Sequence, residues 1–282
     1  MAQLTAYSMN DLLRIMQRLR DPDGGCPWDL EQDFQSILPS TLEECYELAD
    51  AIEQGDFDQM EDELGDVLFQ VVFHAQMASE QQLFDFQGVI NRLAQKLIRR
   101  HPHVFADGEI EGRVTAASTV EDVKVSWESI KQSERNSKQR DGVLADIPVA
   151  LPALPRAQKL QKRAANAGLD WPGPDPVVDK VREELVELMQ AMQASDQAAV
   201  KDEMGDLLFS CVNLARHLGI DAEESLRHAS AKFERRVTGV EAMAAEAGQG
   251  ALQSLSAEQL DVLWRRAKDA GGGDSGGETG GL

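Results

Sequence analysis

The chain has 282 residues, with 49 Asp and Glu against 28 Lys and Arg and a formal net charge of −21. That balance argues against a general nucleic-acid-binding surface, which needs a basic footprint. Three scattered cysteines, Cys26, Cys45 and Cys211, suggest neither a disulfide framework nor a zinc site, and no apolar run is long enough to span a membrane.

Leu12, Leu13, Met16 and Leu19 recur at helical spacing and predict a first helix over Met9 to Arg20, which Asp21-Pro22-Asp23-Gly24-Gly25 ends in a loop. Thr41 to Ile52 and Met60 to Ala78 read as two helices joined at Gly55-Asp56, and Val89 to Arg100 as a third. The stretch from His101 to Ser118 reads as loop and Val120 to Ile130 as helix. A polar run from Lys131 leads into Pro148, Pro152 and Pro155, an expected interdomain linker over 131–155. A second unit over 156–270 carries a hairpin between Val177 and His217, a helix from Ala222 to Ala245 and a last helix from Ser256 to Lys268. The Gly-rich segment 271–282 has almost nothing to bury and is expected to be disordered. The reading is all-α, with a first unit over 1–130 and the cytoplasm as the expected compartment, since no leader-like segment opens the chain.

One pattern occurs twice, 140 residues apart. Glu43-Glu44-x-x-Glu47 is followed by Glu63-x-x-Asp66, and Glu183-Glu184-x-x-Glu187 by Glu203-x-x-Asp206. Asp62 to Gln76 aligns without a gap to Asp202 to Arg216, identical at eight of fifteen positions. Residues three apart on a helix lie about 60° apart on one face. Glu47 and Glu63 stand eight residues either side of Gly55, and Glu44 and Asp66 eleven. The same spacing holds around Ser195 for Glu187 and Glu203, and for Glu184 and Asp206. A chain folded back at residues 55 and 195 therefore sets four carboxylates face to face in each unit.

Four facing carboxylates repel unless a cation sits among them. A hard divalent ion, Mg²⁺ first, suits oxygen-only donors. A di-iron bundle needs Glu-x-x-His pairs, and no Glu here has a His three residues later. Glu43 and Glu183 fall opposite apolar Val67 and Leu207, which places them outside the ligand set or on the substrate side.

These motifs, together with Gly25-Cys26-Pro27-Trp28-Asp29, Arg100-His101-Pro102-His103-Val104-Phe105, Gly168-Leu169-Asp170-Trp171 and Lys232-Phe233-Glu234-Arg235-Arg236, resemble the MazG family of nucleoside triphosphate pyrophosphohydrolases. The resemblance covers nearly the whole chain. It implies two tandem all-α units and Mg²⁺-dependent cleavage of a nucleoside triphosphate between the α and β phosphates, with Mn²⁺ as a substitute ion. A homodimer is also implied, because Val67 to Phe73 and Leu207 to Leu214 are apolar around most of the helix and need covering from several sides.

Candidate substrate groups cluster in the second unit. Lys180 precedes Glu184 by one turn, and Asn213 follows Asp206 within about 20° of its direction. Lys232 and Arg236, with Arg235 beside them, present cations suited to phosphate oxygens. Trp264 is placed either to stack on a base or to cap the core. Shifted by 140, Lys180 becomes Ser40 and Asn213 becomes Phe73, so the second unit is expected to be the main site. The first then reads as a weaker site or a structural and regulatory domain. Glu183, or another carboxylate not used on metal, is the candidate to orient or deprotonate water. Two alternatives stay open: a metal-dependent nucleotide sensor without turnover, and a narrower dUTP or phosphoribosyl-ATP hydrolase of the same superfamily.

Overall fold

A computed structural model describes residues 6–106, 108–111, 119–137, 142–248 and 251–270. The chain divides after Ser137 into two compact units. Among the described residues every regular element is a helix, and there is no strand.

The first unit holds α1 (Met9–Leu19), α2 (Pro27–Glu31), α3 (Leu38–Gln54), α4 (Phe57–Glu80), α5 (Phe86–Arg100) and α6 (Val120–Ser137). α3, α1 and α5 all pack on α4. Met16, Ile37, Val72, Phe73 and Met77 form the core, flanked by Phe34, Leu68 and Phe69. Each such side chain contributes about 1.5–3 kcal/mol by burial.

The second unit holds α7 (Ala153–Asn166), α8 (Pro174–Ala194), α9 (Gln197–His217), α10 (Ala222–Glu246) and α11 (Ala257–Ala270). α8 and α7 pack on α9, and α10 joins α7 to α11. Val240, Ala244, Leu263 and Ala267 form a second core where α10 meets α11.

The two hairpin turns have one construction. Gly55 (φ 70°) and Ser195 (φ 55°), equivalent in the repeat, both end their helix in the left-handed region. Asp56 and Asp196 then cap the returning helix, accepting from Gln59 N and from Ala198 and Ala199 N. The expected fold-back points are thus where the chain turns.

Some boundaries differ from expectation. α6 runs to Ser137, so the polar run from Lys131 is helical over its first seven residues. α7 starts at Ala153 with Pro155 in its first turn, where a proline deprives the helix of no hydrogen bond. Residues 138–141 of the expected linker, part of the expected 101–118 loop and the segment 271–282 lie outside the described residues. Cys45 and Cys211 are exposed rather than packed between helices.

Candidate metal centre

In the second unit α8 supplies Glu184 and Glu187 and α9 supplies Glu203. One carboxylate oxygen from each lies within 4.8 Å of the others. Glu184 is 4% exposed. Burial, then the charge of Glu184, pushes the Glu187 carboxyl above its ordinary range. Lys180 offsets part of this repulsion. Its Nζ lies 2.7 Å from Glu183 Oε1 and 2.8 Å from Glu184 Oε1, and those carboxylates, Glu183 first, raise the ammonium pKa.

In the first unit Glu44, Glu63 and Asp66 converge in the same way, again within 4.8 Å. Burial, followed by the charge of Asp66, raises the Glu44 carboxyl, and the other groups acting on it, Glu47, Glu63 and Glu43, are acidic too. Glu63 is 8% exposed, and its Oε2 is buried with no hydrogen-bond partner. An acidic cluster with an orphaned buried oxygen fits a hard cation with oxygen ligands. The first cluster leaves out Glu47, the second Asp206. Each unit thus brings three of its four expected carboxylates together.

Comparison with known proteins follows the repeat. The MazG nucleotide pyrophosphohydrolase domain matches residues 32–105 and again 174–241, each range enclosing one complete carboxylate set. The chain belongs to the MazG family. It is 53% identical over 259 residues to the nucleoside triphosphate pyrophosphohydrolase of Escherichia coli K12, covering 91% of this chain and 95% of that protein. It is 43% identical over 264 residues to the nucleoside triphosphate pyrophosphohydrolase/pyrophosphatase MazG of Thermotoga maritima, covering 94% and 96%. The relative from Mycobacterium tuberculosis, a nucleoside triphosphate pyrophosphohydrolase, is 34% identical over 254 residues, 89% of this chain and 63% of its own.

The other expected residues of this MazG chain are distributed as follows. Asn213 is on α9, where its Oδ1 accepts from Arg216 Nε at 3.0 Å. Lys232, Arg235 and Arg236 lie on α10, a helix outside the α8–α9 hairpin that carries the carboxylates. Trp264 packs on the α10–α11 core with its ring 5.6 Å from that of Phe233, which is the core-capping alternative. Sequence reading missed a cleft between α7 and α9 lined by Trp171, Phe209 and Gln161. It also missed Arg216, which holds Asp170 through its two terminal nitrogens. The signal was present, since Asp170-Trp171 belongs to a noted motif and Arg216 stands one helical turn after Asn213.

Proposed function

We propose that the chain is a Mg²⁺-dependent nucleoside triphosphate pyrophosphohydrolase, releasing a nucleoside monophosphate and pyrophosphate at the second carboxylate set. The convergence of Glu184, Glu187 and Glu203 between α8 and α9, in a chain 53% identical to an enzyme of that name, carries this reading. Glu184, Glu187, Glu203 and Asp206 would hold the ion, and Mn²⁺ would substitute for it. When bound, the ion supplies charge to the phosphate oxygens and acidifies a coordinated water.

The protein groups do the rest. Lys180 moves from Glu183 and Glu184 toward the phosphates as substrate enters. Glu183, outside the converging oxygens, orients the attacking water and takes its proton. Lys232, Arg235 and Arg236 stabilise charge developing on the pyrophosphate. Water adds at phosphorus, the α–β bridging bond breaks and the proton stays on a carboxylate.

The working form is read as a homodimer. Leu185, Val186, Met189 and Met192 on α8, with Met204 and Leu208 on α9, are each more than 40% exposed, a large apolar face on the helices that carry the site. The first unit repeats the pattern with Leu42, Tyr46 and Leu64. The reading places the enzyme in the cytoplasm, acting on small nucleotides; the net charge of −21 is unfavourable to general nucleic-acid binding.

The test is to incubate the protein with each NTP and dNTP plus Mg²⁺ and identify the products. Monophosphate with pyrophosphate, abolished by EDTA, is expected. Diphosphate with orthophosphate overturns the site of cleavage, and binding without turnover favours a nucleotide sensor.

A further inference from the structure

A Lys-x-x-Arg-Arg pattern recurs with the carboxylates, but its two copies have different partners. Lys96, Arg99 and Arg100 close α5, and Lys232, Arg235 and Arg236 lie on α10, each group following the carboxylates of its own unit. In the first unit Glu134 of α6 takes both guanidiniums. Arg99 Nε and one of its terminal nitrogens donate to Glu134 Oε1 at 2.8 and 2.6 Å. A terminal nitrogen of Arg100 donates to Oε2 at 2.6 Å. Both carboxylate oxygens are thereby engaged, as two arginine forks engage a phosphate. These bonds, Arg100's first, hold the carboxyl down to about 2, so Glu134 is an anion at neutral pH. In the second unit α11 packs on α10, and its Asp261 pairs with Arg265 of the same helix. Among the described residues Arg235 and Arg236 meet no carboxylate.

The clamped arginines stand close to the first carboxylate set. Arg100 is fourteen residues past the start of α5, and Asp66 is fourteen before the end of α4. The two helices pack, and the reversal between them returns Arg100 to about the level of Asp66. Beside that set a cavity of about 780 Å³, lined by Glu43, Tyr46, Glu47 and Glu63, has the volume of a small-molecule site. α6 is held differently from the other long helices of its unit. Among the described residues it packs closely along none of them. Side chains tie it down instead: the Glu134 clamp, and the Trp127 ring set edge-on to His101 at 5.1 Å.

We infer that the first unit holds a second site for a metal-bound triphosphate chain, and that Glu134 keeps it closed by occupying the arginines a phosphate needs. The inference rests on the phosphate-side role proposed for Lys232, Arg235 and Arg236, of which the α5 group is the repeat. α6 is then a strap that an incoming polyphosphate displaces, exchanging a carboxylate for a phosphate on the same two guanidiniums. A site that is open for only a fraction of the time binds its ligand more weakly by that fraction. The strap therefore sets the affinity of the first unit, while the second, without a clamp on its arginines, stays open.

The test titrates Mg²⁺-tripolyphosphate into the full chain by calorimetry. Every sample carries Glu184→Gln with Glu187→Gln, which weakens the second unit equally throughout. Glu134→Gln removes the charge and keeps the shape, and it binds tripolyphosphate about tenfold or more tightly than that background, the scale of one charged contact. Adding Arg99→Ala with Arg100→Ala abolishes the gain. With Glu134 in place, saturating tripolyphosphate raises amide hydrogen exchange over residues 120–137. A parallel titration with ATP identifies the source: a matching gain marks a nucleotide, and a gain for tripolyphosphate alone marks an inorganic polyphosphate. An affinity within about twofold of the background in folded Glu134→Gln overturns the inference, as does a gain that survives loss of both arginines. Exchange over 120–137 that tripolyphosphate leaves unmoved overturns it without reference to any change at Glu134. The gain in a protein whose parent chain hydrolyses no nucleoside triphosphate overturns the proposed reaction and leaves the strapped site standing. Hydrolysis as proposed, without the gain, overturns the strapped site alone.

Discussion

The Lys180 ammonium lies 2.8 Å from Oε1 of the buried Glu184, so a protein cation already occupies part of the second carboxylate set. In the first unit the equivalent residue is Ser40, and the groups that raise Glu44 are all acidic or desolvating. The same fold thus presents two carboxylate sets of different net charge.

A competition follows from that contact. Lys180→Met frees Glu184 and is expected to tighten Mn²⁺ binding to the nucleotide-free protein severalfold. It should also raise the KM for ATP roughly tenfold, the scale of one lost charge-assisted hydrogen bond. Titration calorimetry with Mn²⁺ and steady-state kinetics measure both. Weaker Mn²⁺ binding in the variant would mean that Lys180 supports the site rather than competing for it.

Removing ligands should be far more costly. Glu184→Gln and Asp206→Asn are each expected to lower kcat/KM by at least about 100-fold, several kcal/mol of transition-state stabilisation. Circular dichroism should show the fold intact, because neutralising one of several repelling carboxylates relieves strain in the metal-free protein. Full activity in Asp206→Asn would remove that residue from the set.

The repeat made the carboxylate hairpins legible. A spacing that recurs at 140 residues fixes both turn positions, and Gly55 and Ser195 adopt the left-handed backbone such a turn needs. Trp264 was readable only as two alternatives, because its neighbour Phe233 is brought to it by the packing of α11 on α10. The cleft at Trp171 was not legible for a related reason. It is a space left between α7 and α9, and Gln161 meets the Phe209 carbonyl 48 residues away. Pro155 misled in a simpler way: prolines punctuate linkers, but the first turn of a helix also accepts them.

Gly25 is required by space. A Cβ built there meets Leu19 O at 2.3 Å, Asp21 O at 2.7 Å and Asp21 N at 2.8 Å, all backbone atoms. Gly25→Ala is expected to destabilise the first unit by about 1–3 kcal/mol, the usual cost of forcing an extra carbon into a packed site. Thermal unfolding of the variant measures it, and an unchanged melting temperature would contradict the close approach.

Acid should loosen the contact between α5 and α6. The Arg100 and Arg99 guanidiniums hold Glu134 at 2.6 Å each, and hydrogen bonding, Arg100 first, lowers its pKa from 4.5 to about 2. A depressed carboxylate stabilises the fold fully above its unfolded pKa and ceases to do so as pH falls through the folded one. Glu134→Gln should therefore be less stable than the parent at neutral pH, by at most about 1 kcal/mol for a partly exposed pair. The gap should close between about pH 4.5 and about pH 2. Urea denaturation across that range checks it, and a gap independent of pH would remove the ion pair as its cause.

The most direct test of the account compares two double variants at equal dimer content, measuring pyrophosphate release from ATP with Mg²⁺. Glu44→Gln with Glu47→Gln neutralises the first carboxylate set and should leave most of the activity. Glu184→Gln with Glu187→Gln neutralises the second and should abolish it. Equal loss in both, with folding and assembly unchanged, would contradict the assignment of catalysis to Glu184, Glu187, Glu203 and Asp206.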